Sequence, residues 1–376
     1  MIRGGEPTGS KATHTQHDGA ASDSERGAAL SCASSGAALS CASSGAALSC
    51  ASSGAALSCA SSGAALSCAS SGAALSCASP QRCEVWGVLN VTPDSFSDGG
   101  QFLAIAAALR HARAMLSAGA DVIDVGGEST RPRGATYGGG FVAVTLDEEL
   151  RRVLPVVERL VADGARVSID TTKAEVARRA LVLGAQIVND VSCGRDAALL
   201  RVTADAGAEL VLMHSRGMGE VTAATAAYDD VVAEVCAELL AAVERAVAAG
   251  VAGAKIWIDP GLGFAKTPAQ SLVLLARAQE LVATGQRVLI GASRKAFLAE
   301  AAPDHDGALP PATERLAATL IAGVHAARCG AHALRVHDVR EMRQALLLAD
   351  ALRSGAGAGA RGGTPIVAQA RAEGLR

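Results

Sequence analysis

Eight short apolar runs, each followed by a longer amphipathic one, constrain this chain more than any other feature it has. The apolar runs lie at 85–90, 121–125, 166–170, 186–190, 209–213, 255–259, 287–291 and 333–336. Most are rich in Val, Ile and Leu, the pattern of strands covered on both faces. Between them, 105–117, 146–162, 174–183, 196–206, 229–249, 269–282, 313–329 and 340–352 are dominated by Ala, Leu, Arg and Glu and predict helices. Gly119-Ala120, Gly164-Ala165, Gly184-Ala185, Gly207-Ala208 and Gly330-Ala331 recur just after helix ends, where a left-handed cap favours glycine. Such alternation requires a parallel sheet with helices outside. Eight units over roughly 270 residues, close to the ~250 usual for the type, predict a TIM (β/α)8 barrel. A doubly wound open sheet is the alternative, since one miscounted strand would open the ring.

The barrel uses residues 81–353 of a 376-residue chain. Ahead of it, within 1–80, the nonapeptide GAALSCASS recurs without variation from Gly27, and the last copy, from Gly72, runs into Pro80. One Leu per Ala/Ser/Gly repeat buries too little apolar area to offset the entropy of ordering it, so a disordered tail is expected. Known solenoid units are about 20 residues or longer, which argues against that use of the period. The Gly/Ala-rich end, 354–376, is expected to be disordered as well.

Six of the ten cysteines belong to the repeat. The other four, Cys83, Cys193, Cys236 and Cys329, show no CxxC spacing, which excludes a zinc ribbon and a secreted disulfide scaffold. The beginning of the chain has no apolar signal core and no later run is long enough to span a bilayer, so the cytoplasm is the expected compartment. A net charge of −3 offers no basic stripe for nucleic acid and leaves small molecules as the expected partners.

In a barrel of this kind the chemistry sits where the strands end. The first strand ends at Asn90 and enters a turn-rich loop, Val91 to Gly100, in which Thr92, Asp94, Ser95, Ser97 and Asp98 surround Phe96. Strand two runs into Gly126-Gly127-Glu128-Ser129-Thr130-Arg131-Pro132. Strand three ends in Asp170, four in Asn189-Asp190 and five at Met213 before His214, while strand six ends in Asp259 ahead of Phe264. Strand seven reaches Ser293-Arg294-Lys295 and strand eight Arg335-Val336-His337-Asp338. Any one aspartate here could simply cap the next helix. Eight polar ends together indicate a site. Asp170, Asn189, Asp259 and Lys295 suit a flat heterocycle with amide-like edges, and Arg335 and His337, with Asn90 opposite, suit a phosphate or metal-bound diphosphate.

In LNVTPDSFSDGG, GADVIDVGGESTRPRGA, SIDTTKAEVA, IVNDVS, IDPGLGF, GASRKAFL and LRVHDV, and in their order, the chain resembles the dihydropteroate synthases of folate biosynthesis from Val85 to about Leu352. The resemblance implies a transferase that joins 4-aminobenzoate to the diphosphate of hydroxymethyl-dihydropterin, yields 7,8-dihydropteroate and pyrophosphate, is inhibited by sulfonamides and forms homodimers. It further implies that Asp170, Asn189, Asp259 and Lys295 hold the pterin, with Met213 and Phe264 among the substrate-binding residues. Arg335 and His337 are implied to grip the anion, Asn90 and Asp98 to hold Mg²⁺, and Phe96, Thr130, Arg131 and Pro132 to enclose the 4-aminobenzoate pocket. Asp98, Asp170, Asp259 and Lys295 are the implied catalytic set.

Two departures stand out. Many members carry Ser or Thr after the lysine of SRK, where this chain has Ala296, so weaker 4-aminobenzoate binding is expected. STRP is followed here by Arg133 and then by Gly138-Gly139-Gly140, and Arg133 is a candidate to replace the missing hydroxyl. The competing functions are a non-catalytic pterin-binding paralogue and a methyltetrahydrofolate-dependent corrinoid methyltransferase. The latter would need neither NVTPDSFSD nor SRK.

Overall fold

The computed structural model describes residues 31–32, 39–41, 49–50, 57–59, 82–91, 101–128, 144–217 and 221–358. The chain divides into two units, Met1–Pro80 and Gln81–Arg376. In the first, strands Ser31–Cys32 and Ser49–Cys50 pair in parallel, as do Leu39–Cys41 and Leu57–Cys59. Each pairing joins a position of one repeat to its equivalent two repeats on. The rest of the expected disordered tail at 1–80 lies outside the described residues.

The second unit is a closed barrel of eight parallel strands. They are β1 (Glu84–Asn90), β2 (Val122–Gly126), β3 (Val167–Asp170), β4 (Ile187–Asp190), β5 (Glu209–Met213), β6 (Ile256–Asp259), β7 (Arg287–Ile290) and β8 (Ala333–Val336). Each pairs with the next in sequence, and β8 pairs with β1 through Arg335 opposite Trp86, so the ring has no edge and the open-sheet alternative is excluded. Helices α1 (Gln101–Ser117), α2 (Leu146–Ala162), α3 (Ala174–Val182), α4 (Ala197–Asp205), α5 (Val231–Ala248), α6 (Pro268–Ala276), α7 (Ala278–Val282), α8 (Ala296–Ala301), α9 (Leu316–Arg328) and α10 (Val339–Ala358) fill the connections. The five Gly-Ala turns hold their glycines at positive φ, as their place after helix ends predicts.

Strand periodicity separates two cores. Side chains of one parity, among them Val85, Ile123, Ile169, Leu210, Ile258 and Ile290, pack under the helices. Those of the other parity fill the barrel itself, where Trp86, Val122, Ile187, Val211, Trp257, Leu289 and Ala333 form a separate apolar layer. Below that layer, Glu84 and Glu209 accept hydrogen bonds from the two indoles, at 2.8 and 2.6 Å, and Arg166 bridges the two carboxylates. Above it the same parity points polar side chains at the mouth.

Helix α1 begins at Gln101, four residues before its expected start at 105, many other ends shift by one to three residues, and three further elements depart more. The helix expected at 269–282 breaks at Arg277, whose guanidinium reaches Asp230 at the start of α5 and Glu280 on α7. A short helix, α8, follows Lys295 where none was expected; Phe297 and Leu298 bury there. Helix α10 continues to Ala358, past the expected end of the barrel at 353. The remainder of 354–376 lies outside the described residues.

Candidate active site

Because β2 carries Val122 into the barrel, the period-two rule carries Asp124 in as well, one layer nearer the mouth. Asp124 is 3 % exposed and its carboxylate stands 3.7 Å from Arg335. By the same rule β8 turns Arg335 inward, and its Nη2 donates to Asp259 Oδ2 at 2.7 Å. On the adjoining strands Asn189 Nδ2 donates to Asp170 Oδ1 at 3.0 Å. The backbone runs close to these side chains: a Cβ on Gly291 would lie 3.3 Å from the Arg335 guanidinium, which would have to give way slightly, and one on Gly126 would make ordinary contact with Asp170 at 3.4 Å.

The result is three carboxyl groups around one guanidinium. Burial raises the Asp124 carboxyl above the usual carboxylate range against the pull of Arg335. Burial, reinforced by the charge of Asp124, pushes Asp170 up to about 8. For Arg335 burial opposes the charge, yet Asp259, Asp124 and Asp170 together hold its affinity for protons above the ordinary value. Asp124 Oδ1, Asn189 Oδ1 and Arg335 Nη1 are buried without a hydrogen-bond partner among the described residues. Buried polar atoms of this kind are costly unless something binds them, so the cluster is shaped for a planar ligand with its own donors and acceptors.

Lys295 joins from β7. Its Nζ donates to the carbonyl of Leu262 at 2.5 Å and lies 5.0 Å from the centre of the Phe264 ring. Burial pushes its ammonium down to about 8. The preceding residue, Arg294, adopts φ 58°, unusual for a side chain with a Cβ. Three contacts hold it there: Asp338 takes its guanidinium, Thr319 Oγ1 accepts its N–H at 3.0 Å, and Arg315 donates to its carbonyl at 2.9 Å. Ser293 Oγ lies 3.0 Å from His337 Nδ1 and accepts the His337 N–H at 3.2 Å, which fixes the imidazole at the rim. Ala296 is buried and opens the six-residue α8 with no side-chain cap.

Asn90 ends β1 opposite Gly126 and is half-buried. Met213 is buried at the end of β5, close to Gly261. The structure therefore brings together Asp170, Asn189, Asp259, Lys295, Phe264 and Arg335, with His337 at the rim. Phe96, Asp98, Thr130, Arg131, Pro132 and Arg133 lie outside the described residues. Asp124 is the site residue that the strand-end reading passes over. Its signal was present, an aspartate inside the apolar run of β2 at the parity of Val122.

The pterin binding enzyme family model matches residues 86–337. The dihydropteroate synthase of Mycobacterium leprae is 51 % identical over 265 residues, 70 % of this chain and 91 % of the relative. Among solved structures, Xanthomonas albilineans dihydropteroate synthase with 4-aminobenzoic acid is 42 % identical, with a TM-score of 0.66 over 72 % of this chain and 93 % of that one. The same enzyme in complex with 7,8-dihydropteroate aligns with a TM-score of 0.63 at 39 % identity, over 72 % and 94 % of the two chains.

Proposed function

The chain belongs to the pterin-binding enzyme family, and from that premise we propose that it condenses (7,8-dihydropterin-6-yl)methyl diphosphate with 4-aminobenzoate to give 7,8-dihydropteroate and diphosphate. The observation that carries this reading is the cluster of Asp124, Asp170 and Asp259 around Arg335, with atoms on Asp124, Asn189 and Arg335 that have no hydrogen-bond partner among the described residues. A pterin presents a guanidine-like edge of N–H groups and an amide carbonyl, which need acceptors and donors in that arrangement. Asp170 and Asp259 accept from the N–H edge, Asn189 supplies the mixed donor and acceptor, and Lys295 and Arg335 serve the ring oxygen and nitrogen. Met213 and Phe264 flank the ring.

The reaction breaks the bond between the methylene carbon and the diphosphate oxygen, and the electron pair leaves with diphosphate. The positive charge left on the methylene is shared with the pterin ring, where the fixed carboxylate of Asp259 stabilises it. Arg335 and His337 take up charge on the departing diphosphate. The arylamine nitrogen then bonds to the methylene carbon and loses a proton to solvent. Because the electrophile is a cation, the weak nucleophile needs no strong base.

The donor set at the end of β1 fits Mg²⁺, which binds through one or two protein oxygens and completes its shell with water and substrate phosphate. Asn90 offers such an oxygen, and Asp98 is the second residue we assign to that role. When bound, the ion neutralises charge on the diphosphate. Thr130, Arg131, Pro132 and Phe96 are assigned to 4-aminobenzoate, and sulfonamides are expected to compete with it. We place the activity in the cytoplasm, in keeping with four free cysteines in the barrel unit and with the lack of any helix among the described residues long and apolar enough to cross a membrane. A homodimer is supported by apolar side chains exposed on α9 and α10, Ile321 at 74 % and Leu352 at 67 % among them, and light scattering tests it.

The deciding experiment is product formation from the two substrates, with and without Mg²⁺, by the full chain and by a chain beginning at Gln81. Both are expected to make 7,8-dihydropteroate only with the metal. A folded protein that binds pterin and forms no product would overturn the reading in favour of a non-catalytic pterin binder.

A further inference from the structure

The loop that follows β6 is curled by three residues at positive φ, Gly261 at 62°, Gly263 at 82° and Ala265 at 50°. The curl turns carbonyl groups inward onto Lys266, a fully buried lysine with 1 % exposure. Its ammonium has three protons and three acceptors: the carbonyl of Phe264 at 2.9 Å, the carbonyl of Gly261 at 3.3 Å and Nδ1 of His214 at 2.8 Å. The carboxylate of Glu238 can only accept, so Nδ1 carries the lone pair that receives Lys266 and the proton of His214 sits on Nε2. There it donates to Glu238 on α5 at 3.0 Å. Burial keeps this imidazole neutral, down to about 4, and pushes Lys266 down to about 7.

Lys266 does not touch the cluster at the mouth, yet its bonds lead there. The N–H of Gly261 donates to Asp259 Oδ1 at 2.7 Å, and Oδ2 of the same carboxylate takes Arg335. The rotamer of Asp259 is thus set by Gly261 on one oxygen and Arg335 on the other. Gly261 is itself seated against His214, since a Cβ there would stand 2.0 Å from the His214 carbonyl oxygen, and the His214 N–H donates to the Asp259 carbonyl at 2.8 Å. Tyr228 adds a hydrogen bond to the carbonyl of strained Ala265 at 3.1 Å.

We propose that Lys266, held by His214 and Glu238, is a positioning residue that fixes Gly261 so that its N–H orients the Asp259 carboxylate toward the pterin. The proposal rests on the pterin reading of the site above. It separates Lys266 from Lys295, which grips the same loop at Leu262. It predicts an effect on one substrate, because Asp259 faces the pterin and not the arylamine.

The test is Lys266→Met, which keeps the length of the side chain and removes the ammonium. Measured on the full chain, the KM for the pterin diphosphate and its dissociation constant by calorimetry are expected to rise about 10- to 100-fold, the effect of weakening one hydrogen bond to a charged group. The KM for 4-aminobenzoate is expected to change less than about twofold on the same basis. His214→Leu is expected to reproduce the split, and His214→Gln, whose amide can accept from Lys266 and donate to Glu238, to reverse most of it. Should Lys266→Met fail to fold, the two His214 variants decide the matter. Equal loss toward both substrates, a lowered melting temperature with unchanged pterin affinity, or no difference between His214→Leu and His214→Gln would overturn the proposal. Calorimetry reads pterin binding without turnover, so a wild-type protein that binds but makes no product sinks the catalytic reading alone. One that binds no pterin sinks both.

Discussion

Arg335 holds the site together at the scale of single residues, because its guanidinium is bonded to Asp259 and adjacent to Asp124. A buried charge that loses part of its compensation is costly, on the order of 3 kcal/mol or more. Asp124→Asn keeps the shape and removes the charge. It is expected to lower kcat/KM for the pterin diphosphate by about 100-fold, ~3 kcal/mol, the scale of losing one preorganised electrostatic partner of the transition state, with the protein still folded. Steady-state kinetics beside a thermal melt checks this; unaltered kcat/KM would make Asp124 a structural countercharge only. Asp170 adds a pH effect whose sign follows from its raised affinity for protons. Between the ordinary carboxylate value of 3.8 and about 8, the folded state keeps a proton that the unfolded chain has released. The contribution of Asp170 to stability therefore falls as pH rises through that window. Removing the carboxyl with Asp170→Asn should shift the melting temperature, relative to wild type, further in the variant's favour at pH 8 than at pH 5. An equal difference at both pH values would show that Asp170 ionises normally.

At the scale of elements, the beginnings of α2 and α3 are tied to the loop after β2 by a lysine between two glutamates. Lys173 donates to Glu128 at 2.5 Å and to Glu149, which is fully buried, at 2.6 Å. Thr171 donates to the other oxygen of Glu149 at 2.7 Å, and Glu128 accepts the Val144 N–H at 2.9 Å. Glu128 thereby links residues on either side of 129–143, the segment that contains Thr130, Arg131 and Pro132. Lys173→Met strands the buried Glu149, and a loss of about 3 kcal/mol is expected in urea denaturation. A loss under about 1 kcal/mol would indicate that solvent reaches Glu149 once the lysine has gone. The register of the helices was legible in the sequence because apolar spacing and terminal glycines are local signals. The break at Arg277 was not, since it coincides with a contact to Asp230 on another helix. Nor was α8, too short to show a period.

Across the whole barrel the two ends have separate tasks. Trp257 meets Trp86 edge to face at 5.3 Å in the layer beneath the site, takes Arg287 over its ring at 4.2 Å and donates to Glu209. Trp257→Leu opens a cavity and leaves Glu209 without its indole donor. About 3 to 5 kcal/mol of stability should be lost by denaturant titration. Both KM values should stay within about twofold of wild type, since this end of such a barrel serves stability and the other end the chemistry. A selective rise in the pterin KM would show that the floor transmits strain to the mouth.

Eight strands, their order around the ring and the polar character of every strand end were determined by the sequence itself, because alternation of period and the turn residues after each helix are short-range physics. Asp170, Asn189, Asp259 and Lys295 could be grouped on that ground alone, while Arg335 was set apart with His337 and Asn90 as a phosphate group's partner and joins the four only through its bond to Asp259. What only the tertiary structure decided is which polar side chains meet. Asp124 joins the cluster since ring closure points the parity of Val122 and Trp86 at a common axis, and Lys266 becomes a buried ammonium since the curl of its loop turns two carbonyls and His214 onto it. The parity of Asp124 could be read within β2, but that this parity faces the common axis, and that His214 lies beside the loop of Lys266, follows only from strands being set side by side, which no local pattern states.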